Sequence, residues 1–248
     1  MTAPSPLARR RAWLLALIAG VSGVLYALSF SAIQAVSGPD GTALLRYHPV
    51  FFGLLFGLYL VGVWLSWSAG PRAALLVIAA GMLFRVLGLP TPVLLSSDPY
   101  RYLWDGRVQM AGINPYRHPP RAEALASLRD PEIYPRINRP WGATIYPPGA
   151  ELLFAGLAWN APDRIWALRL FVILCELASM LALGALLRRL QLPEGRVVVY
   201  AWAPLAIFEF AQAGHIDAAL IPRSCWRCLP GSTGGLAWPV RCWAQQLS

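Results

Sequence analysis

Lysine is absent from the 248-residue chain, and all 21 basic positions are arginine. Charge of either sign is scarce, at 13% of residues against 57% hydrophobic, with a mean hydropathy of +0.50. So little charge excludes an ordinary soluble domain and indicates a multi-span membrane protein. The formal net charge of +9 is then no nucleic-acid footprint. No basic stripe with interleaved aromatics appears on a soluble element, so nucleic acid is not an expected partner. The arginine-only set points to GC-rich coding, and much of the charge sits at the ends of apolar runs, where topology places it. Cysteine is also rare: four residues, three of them after position 222. Cys225-x-x-Cys228, with Cys242 as a third thiol, lacks the second pair that a structural zinc site needs. No repeat relates the two halves, which argues against the inverted-repeat plan of many transporters.

What the chain has in abundance is apolar length. Crossing a ~30 Å hydrocarbon layer takes about 20 helical residues. Runs of that order lie at about 12–36, 50–67, 72–89, 165–187 and 197–213. They predict an all-α membrane protein, a multi-pass helical bundle with about five spans and a large outer loop containing surface helices. The organisation expected is three spans in 1–89, an extracytoplasmic loop with the candidate active site in 90–163, and two further spans ending in GHID in 164–222. The first run has no small-residue cleavage site and is too long for a signal-peptide core, so it reads as a retained span.

Arginine placement sets the orientation. Arg9, Arg10 and Arg11 hold the N-terminus in the cytoplasm, and the turn SAGPR puts Arg72 on the same side. Thr91 onward is then outside. The segment 146–160 begins with Pro147-Pro148, a helix-start signal, but its apolar run is short for a span. If it lies along the membrane surface, Arg188, Arg189 and Arg196 are cytoplasmic, and the fifth run delivers GHID (214–217) to the outer side.

At that outer side the sequence reads SSDPYRYLWDGRVQMAGINPYRHPP (96–120). Asp98 and Asp105 lie seven apart and share a helical face, with Arg101 between them three and four residues away. One reading is a salt-bridged surface helix. The other is chemical: a carboxylate at a membrane edge serves as a general base on a hydroxyl, and arginines grip a phosphate bidentately. GINPYR is turn chemistry around Gly112 and Asn114. Tyr100, Tyr102, Trp104 and Tyr116 are candidate interfacial anchors, and a sugar stacks on the same rings. Further polar candidates are Arg85 near the outer end of the third run and Glu176 deep in the fourth. Glu209, His215 and Asp217 gather around the outer end of the fifth. The last His and Asp are too few to define a metal site.

SSDPYRYLWDGR, YPPGAELLF, WALRL and AWAPLAIFEFAQAGHID together resemble the integral-membrane glycosyltransferases of the GT-C class. The resemblance covers about residues 70–222 and is closest to bacterial polyprenol-phosphate-mannose-dependent mannosyltransferases. Ala203 stands where that family's pattern has Asn. The resemblance implies a bacterial plasma-membrane enzyme acting on the extracytoplasmic face. It would carry out an inverting transfer of a hexose, expected to be mannose, from a polyprenyl-phosphate donor to a glycan or lipid acceptor. It implies Asp98 as general base, with Asp105 the second catalytic candidate, and Arg101, Arg107 and His215 at the donor phosphate. Arg85, Tyr100, Asn114, Tyr116, Glu209 and Asp217 complete the candidate polar site. No acidic residue adjoins Asp98, so no metal or other cofactor is expected beyond the lipid-linked sugar itself. The competing reading is a non-catalytic multi-pass membrane protein, such as a transporter or assembly subunit.

From Arg223 the chain changes character, with three arginines, three tryptophans and three cysteines and no helical period. Read with GC-rich codons two nucleotides on, this stretch becomes two apolar runs around GRPG. The expectation is that 223–248 is an aberrant, frameshifted tail on the N-terminal part of an enzyme, which would leave the product incomplete and inactive.

Overall fold

The computed structural model describes residues 6–35, 42–93 and 96–222. The expectations about the tail and its cysteine pair lie outside the described residues. Within them the secondary structure is helical and contains no strand. Six helices carry the architecture: α1 Pro6–Ala35, α2 Thr42–Ser66, α3 Pro71–Leu87, α4 Asp98–Met110, α5 Pro148–Asn160 and α6 Ile165–Arg189. Short helical turns fill the remainder. Arg9–Ala32, Tyr47–Ser66 and Ile165–Arg189 are long and apolar enough to cross a membrane. The third run forms α3, of 17 residues.

The fifth run is not one helix. It is broken into Glu194–Val197, Val198–Ala201, Pro204–Ala206 and a π-helical stretch Ile207–Gln212. Pro204 is the physical cause, since it has no N–H to donate and its ring crowds the preceding turn. Tertiary donors take up the strain. Arg85 Nη1 donates to the carbonyl of Ala201 at 2.7 Å and to that of Gly81 at 3.0 Å. Its Nη2 pairs with Glu176 Oε1 at 2.6 Å, and both side chains are fully buried. Trp202 Nε1 donates to Val77 O at 2.8 Å. Gly81 allows the approach, because a Cβ there would lie 2.6 Å from Ala201 O.

Two sets of hydrogen bonds define the ends of the bundle. At one end Gly195 N donates to Ala69 O at 2.9 Å, joining the α2–α3 turn to the chain after α6. At the other, Arg169 in the first turn or so of α6 donates to the carbonyls of Gly88, Leu89, Thr91 and Pro92. There Gln212 Nε2 also donates to Pro92 O at 2.9 Å. α3 and α6 are therefore antiparallel, and the broken segment crosses from the first end to the second. Residues 92–164 leave and rejoin the bundle at one end. α5, with 13 residues, is about 20 Å long at 1.5 Å per residue, shorter than a ~30 Å hydrocarbon layer. It packs on α4, where Gly106 lets the two backbones close: a Cβ there would meet Phe154 O at 2.6 Å.

Candidate functional site

α4 is the spine of the site. Asp98 opens it, half-buried, and accepts a hydrogen bond from Asn138 Nδ2. One turn on, Tyr102 is buried and stacks on Phe154 of α5, with ring centroids 4.7 Å apart and planes 11° from parallel. Its ring also meets that of Tyr146 edge-on, with centroids 5.1 Å apart. Burial pushes the Tyr102 hydroxyl well above its ordinary value, and Tyr146, Asp98 and Asp217 add to the shift. Tyr146 is pushed up to about 12, by burial first and then by Asp98. The charge of Asp98 thus raises both hydroxyls, and that of Asp217 raises Tyr102.

Asp217 arrives from the far end of the sequence. Gly214, at φ +88°, fits between Pro99 and Arg169; a Cβ there would meet each at 3.5 Å. GHID therefore lies against the first turn of α4. His215 Nδ1 is 3.1 Å from Glu209 Oε2. Its Nε2 is buried with no partner among the described residues. Glu209 sits in the π-helical stretch, whose wider turn displaces side chains from the regular helical register and often marks functional positions.

The remaining candidates are brought to other places. Arg101, which the spacing leaves between two carboxylates, belongs to Asp105: Nε is 2.9 Å from both carboxylate oxygens, and Nη1 donates to Gly142 O at 3.0 Å. Asp105 is 1% exposed. Arg107 bridges Asp130 and Asp163. Arg85 lies in the bundle with Glu176, away from Asp98. Tyr100, Tyr102 and Trp104 are buried, at 8%, 3% and 1% exposure, so the anchors expected there are core residues. Tyr100 accepts a hydrogen bond from Arg136 Nη1 at 3.1 Å. Only Tyr116 of those four rings is exposed, and its hydroxyl donates to Tyr146 O at 2.6 Å. The GINPYR turn is as expected: Gly112 has φ +75°, and Asn114 Oδ1 accepts from Tyr116 N at 2.9 Å.

Sequence reasoning missed Asn138, Tyr146, Gln109, Thr144 and Glu151. Glu151 left a signal, as the lone carboxylate in the apolar segment 146–160. It is buried beside Asp105 and accepts from Thr144 Oγ1 at 2.6 Å and Gln109 Nε2 at 2.9 Å. Burial, with Asp105 as a second negative group, pushes it up to about 7. Burial also raises Asp105, against the lowering effect of Arg101. Two carboxyls against one guanidinium share a proton, and titrate as a pair.

This pair makes a prediction about pH. The folded chain binds the Glu151 proton up to about 7, whereas an unconstrained glutamate releases it near 4.5. The stabilisation is thus complete below about 4.5 and is lost as pH rises through 7. Thermal unfolding should therefore show a melting temperature several degrees lower at pH 8 than at pH 5.5. Glu151→Gln, which keeps a donor without a titrating group, should flatten most of that slope. An unchanged slope in the variant would locate the effect elsewhere.

Comparison with known proteins adds one finding. A family described as alpha-(1->6)-mannopyranosyltransferase, N-terminal domain, matches residues 87–226, more than half of the chain. No curated protein and no solved structure gives a match.

Proposed function

Since the chain belongs to the alpha-(1->6)-mannopyranosyltransferase family by its N-terminal domain, we propose that it transfers a mannosyl group to the C6 hydroxyl of an acceptor hexose. The donor in this reading is a polyprenyl-phosphate mannose in the adjoining bilayer. The observation that supports it is the meeting of the Asp98 turn with GHID, 116 positions later in sequence at Gly214, at the end of the bundle where the outer segment leaves and returns.

Asp98 takes the proton of the acceptor hydroxyl as its oxygen attacks the anomeric carbon. The bond from that carbon to the phosphate oxygen breaks, and polyprenyl phosphate departs with the electron pair. Asn138 orients the carboxylate through its bond to Oδ1. Of the three cations expected at the phosphate, Arg101 and Arg107 are committed to carboxylates. His215 keeps a ring nitrogen without a partner, and the leaving phosphate is assigned to it. No step is given to a metal or cofactor.

The test is transfer from radiolabelled polyprenyl-phosphate mannose in membranes carrying the chain, run beside the chain continued in the alternative frame. Label appearing in a product that yields 1→6-linked mannose supports the reading. No transfer from either protein to any hexose acceptor removes it. Thiol labelling from outside at positions beside Asp98 and His215, but not at Gly195, checks the orientation.

A further inference from the structure

Beside the buried Asp105–Glu151 pair lies an open groove of about 510 Å³ between the GINPY turn and the start of α5. Gln109, Asn114, Tyr116, Glu151 and Leu152 line it. We propose that this groove is a remote subsite that holds the acceptor glycan several sugar units away from its reacting hydroxyl. The inference rests on the mannosyl-transfer reading above and specifies what that reading leaves open, namely the size of the acceptor and where its far part is held.

Three observations carry it. The first is chemistry. The groove pairs an exposed aromatic ring, Tyr116 at 42% exposure, with amide and carboxyl groups. Asn114 lines the groove, and its Oδ1 accepts from Tyr116 N in the turn. A saccharide presents both a C–H face for the ring and hydroxyls for the amides. A lipid chain in the same place would strip water from the exposed Asn114 and the partly exposed Gln109 and return no hydrogen bond, which is unfavourable. The second is distance. Gln109 lies eleven residues beyond Asp98 on α4, which is about 16 Å at 1.5 Å per residue. A single hexose at Asp98 does not reach the groove, whereas a chain does.

The third is linkage between the two places. Tyr116 Oη donates to the backbone of Tyr146, and the Tyr146 ring packs edge-on against Tyr102, one turn after Asp98, with centroids 5.1 Å apart. The groove wall and the reacting end are thus joined through Tyr146, by one hydrogen bond and one ring contact. The buried floor is held by hydrogen bonds. Glu151 is held by Thr144 and Gln109, and Gln109 also donates to Glu151 O at 2.9 Å. A pre-formed polar floor under an aromatic rim is the common plan of small-molecule sites.

The experiment uses the full chain in phosphatidylcholine nanodiscs with 1→6-linked mannobiose and mannotetraose, their affinities measured by calorimetry. The wild-type chain is expected to bind the tetraose at least ten-fold more tightly than the biose. Tyr116→Ala removes the ring, and Leu152→Trp fills the groove at a position 73% exposed, so the fold is retained. Each should abolish the gain with length and leave biose binding unchanged, while Tyr116→Phe keeps the gain. Equal affinity for the two saccharides, or a length gain that survives both variants, overturns the groove and leaves the transfer reading standing. A Tyr116-dependent length gain without transfer in the membrane assay keeps the groove and removes the transfer reading. Binding of neither saccharide overturns the groove together with the acceptor class.

Discussion

Asp98→Asn is expected to lower mannosyl transfer by about 10²–10⁴-fold, the usual contribution of a positioned general base. The substitution is close to isosteric, and the amide oxygen can still accept from Asn138, so the fold should not change. What is lost is the oxygen that can take a proton. The same change at Asp105 has a different expected result. Asp105 faces Arg101 in the interior, and neutralising it leaves a buried guanidinium without its counter-charge. Asp105→Asn should therefore lower melting temperature and yield before rate. Initial rates and melting curves on both variants separate the roles. If Asp98→Asn keeps more than a tenth of the transfer rate, the assignment of the base is wrong.

The largest expected effect on stability belongs to Arg85. Arg85→Ala leaves Glu176 as a lone buried carboxylate and removes the donor from Ala201 O at the break before Pro204. Breaking one partner of such a pair costs about 3–5 kcal/mol, a large part of a marginal stability. Loss of folded protein on extraction is the expected outcome. Arg85→Met with Glu176→Leu removes both charges and should recover part of the loss, since an apolar replacement of a buried pair is often neutral. The recovery should stop short of wild type, because Ala201 O still lacks its donor. Equal stability of the single and double variants would show that the charges themselves are unimportant.

These two arginines show what could be read from the sequence and what could not. Apolar run length located α1, α2, α3 and α6, and Pro147-Pro148 marked the start of α5 correctly. The arginines after the fourth run placed GHID on the same side as the Asp98 cluster, and its contact with the first turn of α4 is seen only in the packed structure. Run length does not report continuity, so the 197–213 run read as a span although Pro204 divides it. Nor does spacing choose between partners. Arg101 stands three residues from one aspartate and four from another, and tertiary burial by α5 gave it to the second. Arg107 was similar, because Asp130 and Asp163 are brought to it only by the fold of the intervening loop. Glu151, Thr144 and Asn138 are single polar residues without a motif, and their significance exists only in the packed structure.

Arg169 stitches the carbonyls of residues 88–92 to the beginning of α6, so the intervening segment departs and re-enters at neighbouring points. A stretch whose two ends adjoin is an insertion in the sense that matters for inheritance: it can be lengthened, trimmed or exchanged without re-threading the helices beneath it. The helical frame and the inserted segment are then free to change at different rates. A chimaera that swaps residues 93–164 between two members of the family, with the arginine at the seam retained, would be expected to carry acceptor preference with the insert and donor use with the frame.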